Sequence, residues 1–233
     1  VAFVIISFIQ IEEPQGDLSQ AVYEKSPLAF RHCLLGIIAI FFYVGVEIGV
    51  PGELNAYLSH MTDAAGNPVV GAAAVGGSLA ALYWLLMLCG RFISSLISGK
   101  VSTRTQMIVV TSAAILFLLI AILLPESVTM TIKAVAVPVK CVFIFICGIC
   151  TSIMWGAIFN LSTEGLGKYT AIASGAFMTM VFGFAIMVGL QGAVADWTGN
   201  FMTSYVVVLA CAAYILFYAL VGSKNVNKDI PVE

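Results

Sequence analysis

Apolar residues along this chain neither alternate nor recur on a single helical face; they fill whole stretches, separated by short breaks rich in charge, glycine, proline and asparagine. A helix rising 1.5 Å per residue needs about 20 mainly apolar residues to cross hydrocarbon. Six stretches meet that length, at approximately 33–58, 69–97, 106–124, 139–162, 171–191 and 201–222. In the first two the apolar character thins toward one end, at Asn55 to Ser59 and Ser94 to Gly99. The pattern predicts an all-α membrane protein with six transmembrane helices.

The remaining segments divide the chain into an apolar run at 1–9, a hydrophilic stretch at 10–32, a six-helix domain at 33–222 and a tail at 223–233. The first run lacks an initiator methionine and the basic flank of a signal peptide. It reads as the end of a preceding transmembrane helix, which makes the chain a piece of a longer protein. Residues 10–32 carry Glu12, Glu13, Pro14, Gly16, Asp17, Glu24, Lys25 and Pro27, the composition of a solvated linker.

An even helix count returns the chain to its starting side. On that side lie Lys25, Arg31, Arg91, Lys100, Arg104, Lys168, Lys224 and Lys228, against Lys133 and Lys140 opposite. The positive-inside bias therefore predicts a cytoplasmic linker and C-terminus in an inner membrane, with loops 59–68, 125–138 and 192–200 facing outward.

Composition narrows the function classes. Hydrophobic residues make up 61% of the 233 and charged residues 9%, against about 25% charged in a soluble domain, so the lipid bilayer is the natural solvent. Mean hydropathy is +1.06 and the pI near 5.7, which leaves no basic face for nucleic acid. The six cysteines sit in or beside apolar runs and read as buried thiols. Cys147 and Cys150 form a CxxC without the second pair or histidine of a zinc site. Neither a P-loop, GxSxG nor HExxH occurs, and His32 and His60 fall at span edges, so soluble-type catalysis is unsupported and no cofactor is implied.

Candidate chemistry lies inside the spans. An ionisable side chain in hydrocarbon costs on the order of 3 kcal/mol, so Glu47, in FFYVGVEIGVPGEL, demands a partner or a water-filled cavity. Tyr43 shares its helical face one turn earlier, and Pro51-Gly52 one turn later predicts a helix break beside the charge. Interrupted helices at membrane depth mark transporter binding sites; the plainer reading is a packing kink around a protonated glutamate. Glu53 lies nearer the outer surface and reads equally well either way.

In the fourth span Ser152, Trp155, Gly156, Phe159, Asn160 and Thr163 recur at three- and four-residue spacing, gathering indole, phenyl, amide and hydroxyl groups on one stripe. That set suits a sugar, whose C–H faces take an aromatic plate and whose hydroxyls take amide or carboxylate hydrogen bonds. The plainer alternative is interhelical packing. Asn55 and Gln191, near the ends of the first and fifth spans, are further candidates for substrate contact. Arg91, Lys100 and Arg104, in GRFISSLISGKVSTR, flank a Ser98-Gly99 turn and are candidates for a cytoplasmic latch onto helix carbonyls or acids; the alternative is simple membrane anchoring.

YVGVEIGVPGELNAYL at 43–58 resembles the seventh helix of the fucose, galactose and glucose proton symporter family of the major facilitator superfamily. GRFISSLISGK at 90–100 is similar to its eighth helix, TSIMWGAIFNLSTEGLGKYTAIASGAFM at 151–178 to its tenth and eleventh, and GAVADWTG at 192–199 to the loop before its twelfth. The resemblance covers the chain from about residue 33. It implies the C-terminal six-helix half of a twelve-helix bundle, with a monosaccharide bound between halves and alternating access driven by a proton as coupling ion. By matching position it implies Tyr43, Glu47, Trp155 and Asn160 as sugar contacts. The missing N-terminal half becomes a required partner, and that half is expected to carry the coupling acids. Trp155-Gly156 stands where the family often has a proline. Competing readings are a six-helix channel-like permease subunit, a membrane-embedded enzyme centred on Glu47, and a half-transporter that binds sugar without moving it.

Overall fold

The computed structural model describes residues 25–227; the run at 1–9, most of the linker and tail residues 228–233 lie outside them. Eight α-helices are found among the described residues: α1 (Arg31–Ser59), α2 (Ala72–Ile97), α3 (Thr103–Leu123), α4 (Lys140–Thr151), α5 (Met154–Thr163), α6 (Thr170–Thr179), α7 (Gly183–Thr198) and α8 (Phe201–Phe217). They make six spans of membrane-crossing length and hydropathy: α4 with α5 forms the fourth, α6 with α7 the fifth, and α8 with a π-helical turn at Tyr218–Gly222 the sixth. The predicted six-helix architecture holds. The first span's beginning and the sixth's end share one end of the bundle, the terminal end; a β-hairpin marks the other.

The irregular positions differ from those expected. Pro51 lies inside a continuous α1, so the helix break at Pro51-Gly52 does not occur. Losing one N–H is cheaper than opening several backbone groups to apolar surroundings, which keeps the ladder closed on either side. The interruptions fall at Ser152 and Ile153, between α4 and α5, and at a 3-10 turn, Met180–Phe182, between α6 and α7.

α1 has the largest buried share of the six spans and packs against α2, α4, α5, α7 and α8. Tyrosines tie the sixth span to it. The hydroxyls of Tyr205, Tyr214 and Tyr218 donate to the carbonyls of Val50 (2.9 Å), Leu35 (3.3 Å) and His32 (3.3 Å). A buried phenol must find an acceptor, and α1 supplies backbone oxygens along its length. Between α2 and α4 the approach is closer still. A Cβ on Gly148 would strike the Tyr83 carbonyl oxygen, and one on Gly90 the Ser152 hydroxyl.

Three boundaries are corrected. Residues 192–198, expected in a loop, continue α7, whose apolar run ends only at Gly199 in the left-handed region (φ 63°). Residues 125–138 contain an antiparallel hairpin, β1 (Thr129–Ile132) and β2 (Val135–Pro138), turned by Lys133 and Ala134, both at positive φ. The last linker residues are only partly solvated: Pro27 and Phe30 are buried between exposed neighbours, the latter's ring 5.4 Å from that of Tyr169. Among the cysteines, Cys89 is exposed on α2 and the other five are buried. In the loop after α1, the Asp63 carboxylate accepts the N–H groups of Asn67 and Ala65, which hold its pKa below the usual carboxylate range.

Gly148→Ala should lower the melting temperature of the detergent-solubilised protein by the equivalent of about 1–3 kcal/mol, because the new methyl meets backbone that has nowhere to move. Gly52, whose Cβ would meet open space, is the control: Gly52→Ala should leave the melting temperature unchanged or raise it. Equal losses in both variants would contradict the close approach of α2 and α4.

Candidate functional site

Glu47, Arg91, Trp155 and Asn160 line one cavity of about 650 Å³, together with hydroxyl and amide groups from the α2–α3 corner. The two charges meet across it. Arg91 Nη2 lies 3.6 Å from Glu47 Oε1, with the arginine side chain about half exposed (54%) and the glutamate at 15%. The same guanidinium donates from Nε to the Ser152 carbonyl at 3.2 Å. That carbonyl lies at the interruption between α4 and α5, so the arginine supplies a donor where the regular ladder stops. Gly90 places α2 against Ser152, and Arg91 follows it in sequence.

Behind the charges lies a buried hydrogen-bonded junction. Tyr43 donates to the Thr151 carbonyl (3.0 Å), while the Tyr83 hydroxyl and Thr151 Oγ1 are 2.9 Å apart. Tyr43 is fully buried and does not line the cavity. It joins α1 to the end of α4 and so fixes the depth of Glu47 relative to the interruption.

The aromatic stripe is a stack. Trp155 lies over Phe159, with centroids 5.9 Å apart and 17° between planes, and Phe177 of α6 presents its edge to both. One face of Trp155 is thus backed by protein, and the indole still lines the cavity. Asn160 is exposed at the rim.

The other candidates are elsewhere. Gln191 is buried, bonded to Ser204 (3.4 Å) and pressed against Gly49 of α1. Asn55 is exposed beside Gly76 of α2, outside the cavity. Arg104 donates to the carbonyls of Ala219 (2.8 Å) and Leu220, tying the start of α3 to the end of the sixth span. Lys100 is exposed at the α2–α3 turn. Arg91, grouped with these two as a latch, is a cavity residue instead. Sequence reasoning missed Ser94 and Gln106, which line the cavity and bond each other at 2.7 Å; the hydroxyl-rich GRFISSLISGKVSTR was the available signal for Ser94, and Gln106 lies two residues beyond it.

No protein-family model matches the chain. The glucose/galactose transporter of Brucella abortus is 31% identical over 226 residues, covering 97% of this chain and 50% of the relative. The similarity is to proteins named for glucose and galactose transport, and it runs along half of their length. A second relative, the putative glucose/galactose transporter of Helicobacter pylori, is 25% identical over 95% of the chain. The chain spans about half the length of the curated relatives it matches. Its fold matches half of a solved chain: the crystal structure of the E. coli fucose:proton symporter FucP superposes with a TM-score of 0.76 at 20% identity, over 95% of this chain and 52% of that one. A second FucP structure, in the outward conformation, gives 0.73 at 19% identity, over 95% and 51%.

In this six-span bundle, Arg91→Met removes both the cation beside Glu47 and the donor to Ser152, and should cost about 1–3 kcal/mol of stability. Glu47→Gln leaves the Arg91–Ser152 bond intact and should cost less. Paired thermal melts read the difference, and a larger loss in Glu47→Gln would refute the arrangement.

Proposed function

We propose that this chain is the C-terminal half of a proton-coupled carrier for a monosaccharide of the glucose, galactose or fucose class, working by alternating access. The observation that carries the reading is the cavity at Glu47. It combines an aromatic plate backed by Phe159, an amide at its rim and a carboxylate–guanidinium pair of no net charge. A neutral sugar matches each part. Its C–H face lies on Trp155, while its hydroxyls donate to Glu47 and accept from Arg91 and Asn160. The relatives' names, glucose/galactose transporter and fucose:proton symporter, point to the same substrate class.

In this reading the second wall of the site comes from an N-terminal six-helix half of the same polypeptide, which also carries the coupling acids, so no cofactor is required. Tyr43 acts from behind the wall by holding Glu47 at depth, and Asn55 and Gln191 support the bundle rather than the sugar. Ser152 and Ile153 form a point where the fourth span can bend, and Arg104 with Lys100 forms the latch at the terminal end. Six basic residues at that end, Arg91 of the cavity aside, against two at the hairpin end, among those described, support a cytoplasmic C-terminus in the inner membrane. The enzyme reading centred on Glu47 is disfavoured by the transporter names of its relatives.

Tryptophan fluorescence of the full-length protein tests this reading. Glucose, galactose or fucose should quench it saturably, Trp155→Phe should remove most of the quenching, and Glu47→Gln and Asn160→Ala should each weaken binding about tenfold, the loss of about 1.4 kcal/mol. If no monosaccharide perturbs the folded protein, the sugar assignment fails.

A further inference from the structure

A second cavity, of about 470 Å³, opens at the hairpin end, about 15 Å along α1 from Glu47 at 1.5 Å per residue. Its walls are the last turn of α1, the approach to the hairpin and the start of α8. Phe201 forms an aromatic corner there: the His60 ring stacks on it (5.3 Å, 28°) and Tyr57 meets it edge-on (6.4 Å, 66°). Facing this corner is Glu126, whose carboxylate is half exposed.

Glu126 is held by a buried cation. Lys140, 4% exposed at the first position of α4, places Nζ 3.6 Å from Glu126 Oε1. The helix N-terminus is a poor position for a cation, so this carboxylate is the compensation that makes its burial tolerable. Locally the charges cancel, and neither an anion nor a cation finds an uncompensated partner. What remains is an aromatic corner with carboxylate lone pairs opposite. Asn200 adds to it: its Oδ1 is committed to the Met202 N–H at 2.8 Å, which leaves its NH2 as a donor toward the cavity.

We propose that this cavity is a second docking site for a neutral polyhydroxylated ligand, a monosaccharide of the class that the central cavity takes. The ligand lays an apolar C–H face against Phe201 and donates hydroxyls to Glu126. The site sits where sugar from the hairpin side meets the bundle first and is separate from the central cavity in lining and position. The identity of the ligand rests on the carrier reading above; the existence of the site rests on the geometry at Phe201 and Glu126.

Equilibrium dialysis of the detergent-solubilised full-length protein against tritiated glucose, galactose and fucose, each alone, tests it. The wild type should bind two molecules of one sugar per chain. Glu47→Gln should weaken only the central molecule, about tenfold, Phe201→Leu should lose the hairpin-end molecule and retain the central one, and the double variant should keep only the weakened central one. Glu126→Gln and Tyr57→Phe, which keep the volume of each side chain, serve if Phe201→Leu lowers the melting temperature; Glu126→Gln should weaken the hairpin-end molecule about tenfold. One sugar per chain in the wild type, or two in Phe201→Leu, overturns the second site and leaves the central one standing. No sugar bound by any variant overturns the carrier reading itself.

Discussion

Hydrocarbon offers no water to an unpaired backbone group, and that constraint organises this molecule. It closes α1 through Pro51, and it makes the interruption at Ser152 and Ile153 the most consequential point in the bundle. Everything around that point serves to compensate it. Gly90 and Gly148 bring α2 onto α4 closely enough for side chains of α2 to reach the interrupted backbone. Arg91 then donates to the Ser152 carbonyl, and Tyr43 and Tyr83 converge on Thr151. The arginine so placed carries a charge that also needs an answer, and Glu47 on α1 provides it. The ion pair thus follows from backbone satisfaction.

The same logic is repeated at both ends of the bundle. Near the terminal end, the carbonyls of Ala219 and Leu220, at the π-helical turn, accept from Arg104. At the hairpin end, Lys140 is buried against Glu126. Arg104 ties two elements far apart in sequence and Lys140 ties the start of α4 to the connection before the hairpin, and in a chain with so few charges each such contact fixes a helix position that apolar packing alone would leave free to slide. The tyrosines of the sixth span act likewise along α1, converting a generic apolar contact into a register.

The six spans, the charge of Glu47 within the first of them, and the run of aromatic, amide and hydroxyl groups in the fourth were all legible in the chain. Apolar length is read one residue at a time, and a charge within an apolar run is conspicuous without any partner in view. The hairpin was not legible, because its two-residue turn is Lys133-Ala134 rather than the Asn-Gly pair that signals such turns. The end of the fifth span was misread because Gly192 and Asp196 resemble loop residues until Gly199 is seen to carry the positive φ that stops the helix. Gln191 and Asn55 share polar chemistry with Asn160, and nothing local distinguishes a residue that bonds a neighbouring helix from one that faces a cavity.

What the sequence by itself determined is the solvent, the number of spans and the presence of a costly charge at depth, since these depend on composition within single segments. Where the fourth span is interrupted, which cation answers Glu47, and which polar residues share its cavity were decided by tertiary structure. Those outcomes depend on how closely two helices approach, and the glycines that permit it, Gly90 and Gly148, lie 58 residues apart. Their meaning appears only when Tyr83 and Ser152 are found against them.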